Sequence, residues 1–278
     1  MKDFPSCFGQ SVIQVESSTT TAKSGAQNTV TCVYQYKSKS ITGFITVTWI
    51  KHLMGQGLTV GIQNSTKAPL CRADIKTWLF SKRKGFKNLV SDSEPVDIFW
   101  DLSSAQFGSG PEPLQGFYLA ILVNQELRLL LGDQTNEAYK KIYSSSTPCV
   151  GSRAIFVARE EHIIFGKRLY NSKARFCDEG DVHDVRIEYD PDDSYDHCLA
   201  ICIDDKTMIQ VARLKWNFRG NDTITVDGLL IQVYWDVHRW LYQSVVGNAV
   251  FLFRSGDPKH KTSAASGFSL VLCAWKSE

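Results

Sequence analysis

Four cations lie close together in the segment SKRKGFK, which spans residues 81–87. They are Lys82, Arg83, Lys84 and Lys87. Several cations on one turn add their electric fields and release counterions when they bind, so this segment could hold the phosphates of an inositol lipid or a nucleic acid. We predict a loop between two strands, and we favour a solvated hairpin tip over an anion-binding site.

Two octads repeat the same order of residue types, VDIFWDLS at residues 96–103 and IQVYWDVH at residues 231–238. Each contains a Trp-Asp pair, Trp100-Asp101 in the first and Trp235-Asp236 in the second. Two carboxylates could act as acid and base if they stood roughly 5–10 Å apart. Because the pairs hold equivalent places in a repeat, we favour a structural role in which both carboxylates accept hydrogen bonds from turn amides.

A third candidate is the acidic and histidine-bearing stretch at residues 178–197, which contains His183 and His197 and lies between Cys177 and Cys198. Such residues could ligate zinc through nitrogen and sulfur, or calcium through oxygen. Their spacing fits neither a zinc finger nor an EF-hand loop, and DEGD and DPDDSYD are typical of hairpin turns. We therefore predict no metal site here, and no cofactor for the protein.

Glycines recur at residues 55–57 and 108–110, but neither spacing completes a dinucleotide-binding or phosphate-binding loop, so we predict tight turns. The longer loop over residues 103–115 is the best place for a partner-binding surface, because binding residues concentrate on loops. Its candidate residues are Phe107, Gly108, Gly110 and Glu112.

Motifs of nucleophilic catalysis are missing from the sequence. It contains no GxSxG or HExxH, and none of its six histidines has a recognisable serine or cysteine companion. An enzyme whose site is assembled from distant residues stays an alternative. We favour a protein without catalytic activity.

Composition narrows the class of protein. The chain has 278 residues, 43% of them hydrophobic, which excludes disorder of the whole chain. A formal net charge of +2 provides no global basic field, so nucleic acid is an improbable partner. The eight cysteines form no CxxC pair, and no apolar run approaches the ~20 residues of a membrane helix. With no signal peptide recognised, we expect a soluble intracellular, cytoplasmic protein.

The dominant pattern is alternation of apolar and polar residues with period two, which is typical of half-buried strands. In the octads it places Trp100 and Trp235 on the apolar face. Further pairs keep the same order in both halves of the chain: Ile62 with Ile203, Trp78 with Trp216, and Gly116 with Gly247. The offset between partners changes only across turns, which is how a duplicated fold absorbs insertions.

These patterns predict an all-β fold, a tandem pair of similar antiparallel β barrels or curled β sandwiches. We expect a disordered lead over residues 1–28, β domains over 29–143 and 153–278, and a linker over 144–152. Short helices are predicted near residues 133–141 and 238–242. The aromatic residues, including seven Trp, would fill the interiors or line a cavity.

Several longer segments resemble one plant-specific family, catalogued as domain of unknown function 868. They are MKDFPSCFG at the start, HLMGQGLTVGI, WLFSKRKG, FWDLSSAQFGSGPEPLQGFYLA, WNFRGN and WDVHRWLY. The resemblance covers nearly the whole chain. It implies a land-plant source and carries no assigned activity, so it assigns no site residue.

The function we expect is that of a non-catalytic binding module for a hydrophobic small molecule, a lipid or a protein. The first alternative is a peripheral protein that binds anionic lipid or phosphate through residues 82–87. The second alternative is an enzyme with an unrecognised site. Exposed edges of two open sheets would permit dimerisation or strand addition by a partner, so the oligomeric state stays open.

Overall fold

The computed structural model describes residues 28–38, 41–52, 54–76, 82–90, 94–145, 151–165, 169–177, 180–190, 197–242, 247–255 and 268–276. Apart from Asn28, the predicted disordered lead lies outside these residues, as do Trp78 and most of the predicted linker. The prediction of an all-β protein with short helices is confirmed, because strands make up most of the described chain.

Residues 28–145 are here called the first half, and those of them that the structure describes form ten strands and one helix. The strands are β1 (Asn28–Ser38), β2 (Ile41–His52), β3 (Gly55–Gln63), β4 (Pro69–Lys76), β5 (Lys84–Val90), β6 (Pro95–Asp101), β7 (Gln106–Phe107), β8 (Pro113–Gln115), β9 (Tyr118–Val123) and β10 (Glu126–Leu131). Helix α1 spans Thr135–Ser145.

Residues 151–276 are called the second half, and their described part forms nine strands and one helix. The strands are β11 (Ile155–Phe165), β12 (Leu169–Ala174), β13 (His183–Asp190), β14 (Cys198–Ile203), β15 (Lys206–Val211), β16 (Arg219–Val226), β17 (Leu229–Asp236), β18 (Asn248–Ser255) and β19 (Ser269–Lys276). Helix α2 is the single turn predicted at His238–Tyr242.

One sheet of nine strands runs through both halves, in the order β16-β17-β18-β19-β11-β1-β2-β3-β4. Two four-stranded sheets, β10-β9-β6-β5 and β12-β13-β14-β15, belong to the first and second halves respectively. None of these sheets closes on itself among the described residues. The described strands therefore form no closed barrel, and the barrel alternative is wrong for this part of the chain.

Each half has its own apolar core of tightly buried side chains. In the first half, Trp49 and Val60 of the large sheet share a core with Ile98 and Trp100 of β6. In the second half, Ile187 and Ile201 pack with residues of β16–β19. Strand β9 is buried on both faces because α1 covers the face that points away from the core. Strands such as β17 and β18 alternate between buried and more exposed side chains, because only one of their faces is covered.

The two halves join where β11 pairs antiparallel with β1 and parallel with β19. We call this junction the seam. A row of aromatic rings crosses it, from Tyr34 through Phe156 and Phe268 to Phe176, with successive centroids 5.2, 5.2 and 6.2 Å apart. The seam is therefore a packed, continuous part of the fold.

Two strands that the sequence analysis missed are β5 and β16. Residues 84–90 were predicted to begin as a basic loop, yet they pair with β6 from Lys84 opposite Asp101 onwards. Strand β15 ends at Val211, and Trp216, between β15 and β16, is 81% exposed. Both missed strands are rich in polar residues, which weakens the alternation on which a strand prediction depends.

Among the residues described, no helix has the length and apolar character that crossing a bilayer requires.

Candidate functional site

A cleft of about 940 Å³ lies over the seam. Its floor is formed by β1 and β11, one wall by residues 109–112 of the first half, and the other wall by residues 170–175 of the second half. Phe156 and Phe268 of the aromatic row reach into it. This volume falls within the roughly 300–1,000 Å³ of typical small-molecule sites.

Arg159 is the centre of a charged network in the cleft. Its Nη2 donates to Oε2 of Glu112 at 2.5 Å and its Nε donates to Oε1 of Glu161 at 2.5 Å. Glu161 also accepts hydrogen bonds from the hydroxyls of Tyr170 and Ser172, the latter at 2.7 Å. These contacts connect β11, β12 and residue 112, so the network ties both walls to the floor.

Burial and the neighbouring charged groups together determine the protonation states in this network. Burial alone would lower the pKa of Arg159, but the hydrogen bond to Glu112 and the charge of Glu161 raise it, so the guanidinium stays charged. Burial and the negative charge of Glu161 raise the pKa of Tyr170, which keeps its hydroxyl as a donor. Cys32 lies 3.5 Å from Nη1 of Arg159, and burial raises the pKa of its thiol to about 12 despite that cation. The thiol is therefore not an activated nucleophile.

The predicted partner loop at residues 103–115 is a small hairpin, formed by β7 and β8, that folds back over the large sheet. The ammonium group of Lys51 donates to the carbonyl of Ser109 at 2.8 Å, and Glu112 bonds Arg159. Gly110 and Glu112 thus line the cleft, while Phe107 and Gly108 lie outside its lining. The loop contributes one wall of a site rather than a free surface.

The family described as "Plant protein of unknown function (DUF868)" matches residues 25–276. The chain belongs to this plant family. No curated protein and no solved structure matches the chain. The family description assigns no activity, so the geometry of the chain itself must indicate the function of this DUF868 member.

The four basic residues of the first candidate lie on and just before β5, and all four are exposed. Alternation along β5 places Lys84 and Lys87 on opposite faces of the strand. Lys82 and Lys87 line a groove of about 320 Å³ together with Lys76 and Asp74. Residues 82–87 therefore form a strand start whose cations are divided between two faces, and the predicted hairpin loop is wrong for residues 84–87.

The two Trp-Asp pairs have the same local contacts in both halves. The indole N–H of Trp100 donates to the carbonyl of Lys82 at 3.4 Å, and that of Trp235 donates to the carbonyl of Asn217 at 3.1 Å. Asp101 and Asp236 each accept a hydrogen bond from the amide two residues later, at 2.9 and 3.0 Å. The two carboxylates lie in different sheets, and each accepts a hydrogen bond within its own turn.

His183 holds together two hairpin turns of the second half. Its Nδ1 is 2.6 Å from Oδ2 of Asp204 and its Nε2 is 2.7 Å from Oδ2 of Asp227. Burial alone would lower the pKa of His183, but the hydrogen bonds and charges of the two aspartates raise it. His197 is elsewhere, stacked on Tyr189 with ring centroids 5.5 Å apart. Within the described residues, the acidic stretch at 178–197 thus brings no set of metal ligands together.

Sequence reasoning missed Arg159, Glu161, Tyr170 and Ser172, the polar centre of the cleft. A signal was present, because three charged residues and His162 interrupt the middle of an eleven-residue strand, at residues 159–162. Charged residues inside a sheet are costly unless they are paired. Their partners come from residues 112 and 170–172, and no sequence spacing reveals that proximity.

Proposed function

We propose that this protein is a non-catalytic binding protein made of two copies of one β unit, and that it holds a small amphipathic molecule in the cleft between them. The observation that supports the proposal most is the cleft itself, which has walls from both halves. Each half also has a core of closely buried apolar side chains, which supports placing the ligand at the seam rather than inside either half.

Support for the duplication comes from residues related by a constant offset of 135. Gly85 pairs with Trp100 in the β5–β6 ladder as Gly220 pairs with Trp235 in the β16–β17 ladder. The amides of Leu102 and Val237 donate to the carbonyls of Arg83 and Phe218, at 2.8 and 2.9 Å. The simplest explanation for this many equivalent contacts at one offset is that both strand pairs descend from one ancestral unit. Gly116 and Gly247 do not add to this support. Only Gly116 has a positive φ, so the two glycines differ in backbone conformation.

The chemistry of the lining indicates the class of ligand. Val30, Phe156 and Phe268 provide an apolar surface, whereas Asn171, Ser172 and the Arg159 network provide polar groups. A cleft of this kind suits a molecule with an apolar body and a polar group that fixes its orientation. The ionisable groups around Arg159 are paired with one another, which favours binding over acid-base chemistry.

Native mass spectrometry of the full chain, purified from plant tissue, tests this proposal. We expect the wild type to carry a small non-covalent adduct. Gly110→Phe should reduce its occupancy at least about tenfold, because a Cβ at Gly110 meets no atom within 4 Å and an aromatic ring there can occupy the cleft. Gly108→Phe, in the same hairpin but outside the lining, is the matched control. A wild type without any adduct, or equal losses in both variants, would count against the cleft.

A second candidate function is favoured by the groove between β4 and β5, where Lys76, Lys82 and Lys87 converge. Three cations around one groove suit a phosphate group. Asp74 partly offsets them, because its hydrogen bonds to Thr59 and Arg72, together with the charge of Lys87, lower its pKa despite its burial and keep it ionised. Under this proposal the protein binds an anionic membrane surface.

Sedimentation with vesicles that contain phosphatidylserine tests the second candidate. Replacing Lys82 and Lys87 by Ala together should abolish sedimentation, whereas replacing Lys84 and Lys206 by Ala removes the same charge elsewhere and should have a smaller effect. Equal effects of the two pairs, or no sedimentation of the wild type, would argue against the groove.

A further inference from the structure

Glu160, His162 and Cys273 lie side by side near the centre of the nine-stranded sheet, on the face opposite the cleft. The parallel register of β11 and β19 places His162 beside Cys273. Glu160 and His162 are two residues apart, so they share one face of β11, while Arg159 and Glu161 point to the other. One donor atom from each of the three side chains lies within 4.8 Å of the other two.

These three side chains offer one oxygen, one nitrogen and one sulfur atom. This combination suits a borderline-soft ion such as Zn²⁺ or Co²⁺, whereas Mg²⁺ and Ca²⁺ require oxygen ligands. Zinc bonds of ~2.0–2.3 Å in a tetrahedral site place ligand atoms roughly 3.3–3.8 Å apart. Oε1 of Glu160 is 2.7 Å from Nε2 of His162, so an ion between them requires only a small separation of the two side chains.

The surroundings make the three side chains a prearranged set. β11 is paired on both sides, with β1 and β19, so the backbone positions of all three residues are fixed by ladder hydrogen bonds. Glu160 and Cys273 are largely shielded, while the side chain of His162 is 38% exposed. An ion bound there is reached from solvent on one side only. A carboxylate and a thiolate together would also balance the charge of a divalent cation.

We propose that Glu160, His162 and Cys273 bind one Zn²⁺ ion, with solvent at the fourth position. Three protein ligands with one open position is the arrangement of zinc sites that bind or activate a further ligand, whereas purely structural sites are closed by four. The site lies on the opposite face of the sheet from the cleft, and it does not depend on the function proposed for that cleft.

Cobalt substitution tests the site in the full-length protein, stripped of metal by dialysis against a chelator. Titration with Co²⁺ should give one equivalent of a complex with visible d–d bands and a near-ultraviolet thiolate-to-metal band. Cys273→Ser should remove the thiolate band. His162→Ala and Glu160→Gln should each weaken Zn²⁺ affinity, measured by competition with a chromophoric chelator, by more than the roughly 10–100-fold that changes outside the ligand shell produce.

Cys32→Ser is the matched control, because Cys32 is a buried cysteine of the same sheet that faces the cleft. It should keep the band and the affinity. Circular dichroism of each variant checks its fold, and His162→Ala, at a partly exposed position, gives a result even if Cys273→Ser does not fold. The proposal is overturned if the wild type shows no thiolate band, or if affinity is unchanged in His162→Ala and Glu160→Gln.

Discussion

Trp100 and Trp235 each cover a glycine on the neighbouring strand, Gly85 and Gly220 respectively. A Cβ built on Gly85 would lie 2.6 Å from Cζ2 of Trp100, and one on Gly220 would lie even closer to Cζ2 of Trp235. Both indoles are 8% exposed and both donate to a backbone carbonyl 18 residues earlier. In each half, an indole ring packed against a glycine thus covers one end of the core.

Gly85→Ala and Gly220→Ala should therefore each destabilise the protein, by about 1–3 kcal/mol, because the added methyl group displaces a packed indole ring. Urea denaturation followed by tryptophan fluorescence measures the loss. Gly110→Ala, where the new Cβ meets nothing within 4 Å, should cost little. If Gly85→Ala and Gly220→Ala are as stable as Gly110→Ala, the two indoles are not packed as described.

The Arg159 network predicts an asymmetric response to mutation. Arg159→Met should cost about 3–5 kcal/mol in urea denaturation, because it leaves Glu161, only 4% exposed, without its cation. Glu112→Gln should cost less, since the Glu112 side chain is 31% exposed and Arg159 keeps its bond to Glu161. A Glu112 variant at least as unstable as the Arg159 variant would contradict this arrangement.

His183 predicts a pH dependence of stability. Its pKa is raised in the folded protein by Asp204 and Asp227, so the stability that it contributes is fully present below the ordinary value of ~6.5 and is lost as pH rises through the raised value. A neutral imidazole has a single N–H and can donate to only one of the two carboxylates.

The stability difference between wild type and His183→Gln, measured by urea denaturation, should therefore shrink as pH rises above about 6.5. His238→Gln serves as the control, because the imidazole ring of His238 packs against the rings of Phe218 and Tyr242. A difference that stays constant or grows over this range would show that His183 is not held as a cation.

Cysteine accessibility gives a further prediction. Burial raises the pKa of Cys32 and Cys273 to about 12, so little thiolate exists at pH 8 and both thiols are shielded. Brief alkylation of the native protein at pH 8, followed by peptide mass spectrometry, should modify the half-buried Cys177 and Cys198 before Cys32 and Cys273. Early labelling of Cys32 would indicate that the hairpin carrying Glu112 opens readily.

Much of the fold could be predicted from alternation, because every second side chain is buried in strands such as β17 and β18. Strands β5 and β16 were missed because their outward residues are charged or small and their inward glycines give no apolar signal. The cleft was missed for a different reason. It depends on β11 pairing with β1 and β19, which are distant in sequence, and no local pattern determines which strands meet at a seam.

The loop over residues 103–115 was predicted to be a binding surface from local sequence features alone. Its length and its glycines indicated a surface for a partner, and Gly110 and Glu112 do line the cleft. What the sequence could not provide was Arg159, the residue that Glu112 contacts from 47 positions away. The charge of that pair determines the polarity of the cleft.

A crystal structure of the protein purified from plant tissue tests the central claim most directly. We predict non-protein electron density between residues 109–112 and 170–175, with an apolar part against Phe156 and Phe268 and a polar part near the Arg159 network. A cleft that contains only water, in crystals of a protein that demonstrably carries an adduct, would contradict the claim and place the ligand elsewhere.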